Sequence, residues 1–177
     1  VIKFFNRKHL AEPSRFPSAL QSHRQAEMHK RWKQRVRIHP VSYPLAKTYM
    51  QEETGVLCVH LGQSSQKFPI VELVDRASRH FWVDLNATPF VIQKKGTSSF
   101  YQKLKSGEKF EELIDAFLFF HAKRIASLIT DYDRDFKRNY RWNGDRLQYI
   151  DPARFDFEPR LESQKWRKRE WTLATNR

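Results

Sequence analysis

The chain has one cysteine, Cys58, so no internal disulfide can form, which is compatible with a reducing cytosol. Cys58 sits in an apolar, strand-like run and reads as a small buried residue. No apolar stretch reaches the roughly 18 residues that a membrane span requires. No signal-peptide pattern is visible either, so a cytoplasmic location without a membrane span is expected. Zinc-type ligand spacing is missing: His60 and His80 fall on separate strand-like runs without cysteine partners and read as structural. There is no internal repeat and no low-complexity tract. Acidic residues are in short supply, 20 against 33 Lys and Arg, for a formal net charge of +13. Such an excess speaks to partners rather than to fold, and admits nucleotide phosphates, nucleic acid or an anionic membrane surface. The chain lacks an initiator Met, opens inside an apolar run at Val1 and closes in a basic segment at Arg177. We therefore expect a piece of a longer protein.

What is present suits one domain or one small two-lobed unit: 177 residues, 40% of them hydrophobic and 14% aromatic, enough to bury a core. Val1-Ile2-Lys3-Phe4-Phe5 reads as a strand with a lysine inside it. Residues 18–38 are helix-permissive, and Lys30, Arg31, Lys33, Arg35 and Arg37 make that helix strongly positive. Pro40 and Pro44 are expected to end it, with a further short helix over 45–50. Residues 54–95 hold four strand-like runs separated by turns, which implies an antiparallel meander. Phe110, Leu113, Ile114, Phe117, Leu118, Ile125, Leu128 and Ile129 recur at three- and four-residue steps, the stripe of a long helix that starts near Ser106-Gly107-Glu108. His121 and Lys123 are expected to face outwards or towards the next loop. Residues 161–177 have helical spacing, with Trp166 and Trp171 among Lys165, Arg167, Lys168 and Arg169. These aromatics either stack on RNA bases or pack an incomplete helix against a missing C-terminal part, and the second is the preferred reading.

The densest chemistry lies between Asp131 and Phe155. Asp131, Asp133 and Asp135 are followed by Asn139, then by Trp142-Asn143-Gly144-Asp145, a turn signal between antiparallel strands. Arg146 to Ile150 alternates like a strand and delivers Asp151 at its end. Hard oxygen ligands gathered in this way suit magnesium bound through one or two carboxylates and substrate phosphates.

This arrangement resembles the catalytic core of the protein-kinase-like superfamily, which carries a catalytic Asp and a metal-binding Asn in one loop, a hairpin, and a second metal-binding Asp. The pattern D-x-D, then Asn139-Tyr140, then Ile150-Asp151-Pro152-Ala153-Arg154-Phe155 is also similar to uncharacterised kinase-like proteins of chlamydia-related bacteria. The resemblance implies an α+β, two-lobed fold, incomplete at both ends. Residues 1–95 would form a partial sheet lobe with one long basic helix, and residues 96–177 a helical lobe with the catalytic-type loop and hairpin. It implies Mg2+ and ATP as cofactors, Asn139 and Asp151 as metal ligands, and Lys3 and Arg154 as nucleotide-binding residues. Glu27 or Glu12 would pair with Lys3. The base would be Asp133 or Asp135, because the spacing to Asn139 is one residue longer than the family's for Asp133 and one shorter for Asp135. Two further departures are Asp131-Tyr132 where the family has His-Arg, and Asp151-Pro152-Ala153 where it has Asp-Phe-Gly.

The expected function is thus a kinase-like phosphotransferase that binds a magnesium-nucleotide and passes a phosphoryl group to an acceptor the sequence does not identify. The departures keep open a catalytically inactive pseudokinase acting as an interaction module. The net charge keeps open a basic nucleic-acid-binding module, the less favoured partner class. A metal-dependent glycosyltransferase using Asp131 and Asp133 is disfavoured, because no open parallel sheet with nucleotide-binding turns is visible.

Overall fold

The computed structural model describes residues 1–5, 38, 40–62, 65–133 and 135–175, and its architecture is mixed α+β with antiparallel sheets. The first strand, β1 (Ile2–Phe4), is followed among the described residues by a helix over 40–49 (α1) and a single turn, α2 (Gln51–Thr54). All but the last residue of the basic helix expected over 18–38 falls outside the described residues, as do Glu12 and Glu27. The helix that Pro40 and Pro44 are expected to end lies, but for Ile38, outside the described residues; Pro40 is the first residue of the helical run described over 40–49 and Pro44 lies inside it. The amide hydrogen bond lost at Pro44 is offset by anchoring around it. Tyr43, Ala46 and Met50 are buried along one face, and the Ser42 hydroxyl reaches the carbonyl oxygens of Ile38 and Phe155 at 2.8 and 2.7 Å.

The strands that follow are β2 (Val56–His60), β3 (Ile70–Val74), β4 (His80–Asp84) and β5 (Phe90–Gln93). They are antiparallel, but they do not form the expected meander. β5 returns to the middle of a three-stranded sheet of order β1-β5-β2, while among the described residues β3 and β4 pair only with each other, as a separate hairpin. The register sets Lys3 opposite Val91 and Val59 opposite Val91 on the other side.

After the short β6 (Ser98–Ser99) come α3 (Phe100–Ser106) and α4 (Phe110–Ala126). The long helix expected from near Ser106-Gly107-Glu108 is α4, and the shorter α3 before it ends where Gly107 takes a left-handed φ of 73°. Glu111 and Glu112 occupy the first turn of α4, where negative charge suits the helix dipole. Leu113 and Ile125 of its stripe are buried, as is Phe120 outside it; Phe110 is exposed, and Ile129 belongs to a strand, β7 (Ile129–Asp131), entered through Leu128 at positive φ. The turn α5 (Phe136–Asn139) leads into β8 (Tyr140–Trp142) and β9 (Leu147–Tyr149), joined by a loop in which Asn143 N–H donates to the Arg146 carbonyl at 2.9 Å. Gly144 takes a positive φ there and Asn143 does not, so the expected Asn-Gly turn forms as a longer loop. Finally β10 (Phe155–Phe157) pairs with β7, and a 3-10 turn (Pro159–Glu162) precedes α6 (Gln164–Thr175).

One core unites these pieces. Met50, Val56 and Val91 from the first half meet Phe100, Phe120, Tyr140, Trp142, Tyr149 and Phe155 from the second. Two buried glutamines add polar links: Gln93 donates to the carbonyls of Thr54 and Tyr149 at 2.6 and 3.3 Å, and Gln148 donates to that of Lys94 at 2.9 Å. No helix among the described residues is long and apolar enough to cross a membrane.

Candidate functional site

The aspartate-rich loop is built by its own side chains. An aspartate carboxylate can accept the amide N–H two residues on, a local turn that suits the D-x-D-x-D spacing. The Asp133 amide donates to Asp131 Oδ1 at 2.8 Å, and the Asp135 amide donates to Asp133 Oδ1 at 3.1 Å. Asp135 caps α5, accepting the Arg138 amide at 3.0 Å and the Arg138 guanidinium. Those contacts, the side chain of Arg138 foremost, hold the Asp135 carboxyl below its usual range. Asp135 is thus engaged in the loop's own structure.

Asn139 closes α5 and is buried. Its carbonyl accepts the Ile150 N–H at 2.8 Å, which brings the end of the first loop against the residue that precedes Asp151. Its Nδ2 donates to the Tyr149 hydroxyl at 3.3 Å, and that hydroxyl donates to Asp131 Oδ2 at 2.7 Å. Asp131, Tyr149 and Asn139 thereby form one line of hydrogen bonds behind the loop. Burial drives the Asp131 carboxyl up to about 6, against the opposing pull of Arg124, the Tyr149 hydroxyl and the Asp133 amide.

Across from this line, the Lys3 ammonium donates to the Ile150 carbonyl. Burial lowers the Lys3 pKa, and the nearby Asp151 carboxylate opposes that shift. Tyr43, on α1, also faces Asp151, and burial together with that carboxylate pushes its phenol well up. Lys3, Asn139 and Asp151 therefore converge on Ile150 and its neighbour, although they are far apart in sequence. Arg154 stands differently. Its exposed guanidinium donates to the Tyr132 carbonyl at 3.4 Å while the Tyr132 amide donates to the Arg154 carbonyl at 3.2 Å, so it staples the two loops together.

Beneath the loop, Arg124 of α4 is fully buried. It donates to the Ile129 carbonyl and to Glu170 of α6, both at 2.8 Å. His121 lies within 3.3 Å of the same guanidinium and within 3.1 Å of the Tyr140 hydroxyl. Of the two directions expected for His121, it takes the one towards the aspartate loop: it is buried and lines the same space as Asp131 and Asp133. Lys123 pairs with Glu53 at 2.5 Å.

Sequence reasoning missed Ser42, Tyr43, Gln93, Gln148 and Arg124. Only Tyr43 carried a signal, the helical spacing to Ala46 and Met50. The others are polar residues whose partners come from distant segments. No known family model, curated protein or solved structure matches the chain.

Proposed function

We propose that this chain is a protein-kinase-like domain that binds a magnesium-nucleotide complex and transfers its terminal phosphoryl group to an acceptor hydroxyl. The observation that carries the reading is the bond from Ile150 N–H to the Asn139 carbonyl, with the Lys3 ammonium on the Ile150 carbonyl. In this reading residues 1–95 belong to the sheet lobe and residues 96–177 to the helical lobe.

The donor set fits magnesium. Asn139 offers an amide oxygen and Asp151 a carboxylate, both hard ligands. Among the described residues no group of three or more His, Cys, Asp or Glu could hold a metal by itself. The ion would therefore be shared with the nucleotide's phosphates, as is usual for magnesium. When bound, it supplies neutralisation of phosphate charge. Lys3, released from the Ile150 carbonyl, adds a second positive charge to the phosphates. Asp133 would take the proton of the acceptor hydroxyl as the acceptor oxygen bonds to the terminal phosphorus and the bond from that phosphorus to the departing nucleoside diphosphate breaks. Asp133 is preferred to Asp135 as base, since Asp135 is committed to capping α5 and to Arg138. Arg154 acts by joining the two loops rather than by touching nucleotide.

A second reading, a pseudokinase that binds nucleotide without turnover, draws support from the same Lys3 contact, because that ammonium is spent on a backbone carbonyl. Calorimetry of ATP binding, with and without magnesium, tests both. We expect magnesium to tighten ATP binding and Asp151→Asn to lose at least about tenfold in affinity with magnesium present. Asp133→Asn should keep nucleotide affinity within about twofold and abolish phosphoryl transfer from γ-labelled ATP. Equal ATP affinity in wild type and Asp151→Asn would remove the metal role. Tight, magnesium-dependent binding without any transfer by wild type would select the pseudokinase.

A further inference from the structure

Helix α6 presents two unlike faces. Glu170, Leu173 and Ala174 turn towards α4 and the aspartate loop, where Glu170 meets the buried Arg124 at 2.8 Å and accepts from Thr130 at 3.1 Å. The other face, with Lys165, Arg167, Lys168 and Trp171, stands beside Ala122 and Ile125 of α4 across an open groove of about 740 Å3. That volume is in the range of ligand-binding clefts, which run from about 300 to 1,000 Å3. The buried ion pair holds the helix down from behind, so the groove stands on a fixed platform.

Its chemistry is divided. Ala122, Ile125 and Trp171 supply apolar surface, and the wall is cationic. Arg167 is tied to the Leu161 carbonyl at 2.6 Å. Lys165 and Lys168 have neither a carboxylate nor a hydrogen-bond acceptor among the described residues. Arg79, Lys109, Lys123, Arg138 and Arg160 each face an acid, whereas Lys67, Lys95 and Lys103 share the unpaired state without an apolar cleft beside them among the described residues. The one acid of α6, Glu170, is spent on Arg124. Two unpaired ammonium groups beside an apolar cleft call for a ligand with carboxylates around an apolar anchor. Stacking on bases is less well served: the guanidiniums of Arg160 and Arg169 already sit 4.0 and 4.8 Å from the Trp166 ring, and Trp171 lines the cleft with aliphatic neighbours.

We propose that the groove between α4 and α6 is a docking site for an acidic peptide segment of a partner protein. An apolar side chain of the segment enters between Ile125 and Trp171, and its carboxylates meet Lys165 and Lys168. This inference does not depend on phosphoryl transfer.

Fluorescence anisotropy with the whole chain tests it, using a labelled Glu-rich peptide with two Leu at helical i, i+4 spacing. Lys165→Glu with Lys168→Glu should weaken binding at least about tenfold. Lys67→Glu with Arg76→Glu, the same change of net charge in and beside the β3–β4 hairpin, should alter it by no more than about twofold at physiological salt. Ala122→Trp, at an exposed position, should fill the cleft and weaken binding to a similar extent without altering charge. Circular dichroism of each variant separates loss of docking from loss of fold. Absence of binding by the folded wild type overturns the proposal, as does equal loss in both charge-reversal pairs. So does equal affinity for a Glu-only peptide, which would reduce the effect to the chain's overall charge. If oligouridylate binding falls in Ala122→Trp and in the Lys165/Lys168 pair while peptide binding does not, the groove takes nucleic acid and the proposal fails.

Discussion

The β8–β9 pair and the β3–β4 pair are both short antiparallel pairs rich in aromatic and aliphatic residues, yet they meet opposite fates. In the first, Tyr140, Trp142, Leu147 and Tyr149 are all buried, with α4, α3 and β10 closing over them through Phe120, Phe100 and Phe155. In the second, Trp82 is 70% exposed and Ile70 62% exposed, and the two strands form a sheet of their own. A two-stranded hairpin has no second layer unless another element supplies one. Strand propensity therefore says where the chain extends, not whether the extended segment is covered. The difference also has a functional side, because the covered pair is the one that holds Asn139 against Ile150.

The most severe way to break this contrast is to empty the covered side. Phe120→Ala removes a side chain that stacks on Tyr149 and meets Tyr140 edge-on. It should cost about 3–5 kcal/mol in urea unfolding. A loss below about 1 kcal/mol would mean that the aromatic cluster does not carry the fold.

Next in size is the pH dependence of the same region. The Asp131 carboxyl lies near 6 when folded and near its ordinary 3.8 when unfolded. A raised folded pKa makes the folded state hold the proton more tightly. The stabilisation is complete below the unfolded value and is lost as pH rises through about 6. The difference amounts to a change of roughly 2 kcal/mol between pH 4 and pH 7, from the two values for this carboxyl. Asp75, Asp84, Asp135, Asp145 and Glu158, all lowered, pull the other way, their stabilisation being lost as pH falls. Comparing wild type with Asp131→Asn across pH 4 to 7 isolates the one group, and the variant should gain on wild type as pH rises. A constant difference would show that Asp131 titrates as an ordinary carboxyl.

The smallest effect is expected on the uncovered side. Trp82→Thr keeps a strand-forming residue and removes an exposed ring, so chemical denaturation should shift by no more than about 0.5 kcal/mol. A loss several times larger would show that the ring is packed on something, and the contrast between the two pairs would narrow.

Short-range features were legible in the residues themselves. The alternation around Lys3, the stripe of Leu113, Phe117 and Ile125, the turn at Asn143-Gly144 and the strand that delivers Asp151 follow from periodicity and turn chemistry, which act over a few residues. The approach of Asn139 to the residue before Asp151 follows from the hairpin between them, whereas no local rule joins Lys3 to Ile150. Tertiary packing decided the rest. It placed β5 between β1 and β2 and left β3 and β4 apart; it turned His121 inwards, carried the helix through Pro44, and buried Arg124 against Glu170. Each of these depends on which distant surface covers an apolar face or satisfies a buried polar group, a choice made by the whole chain at once.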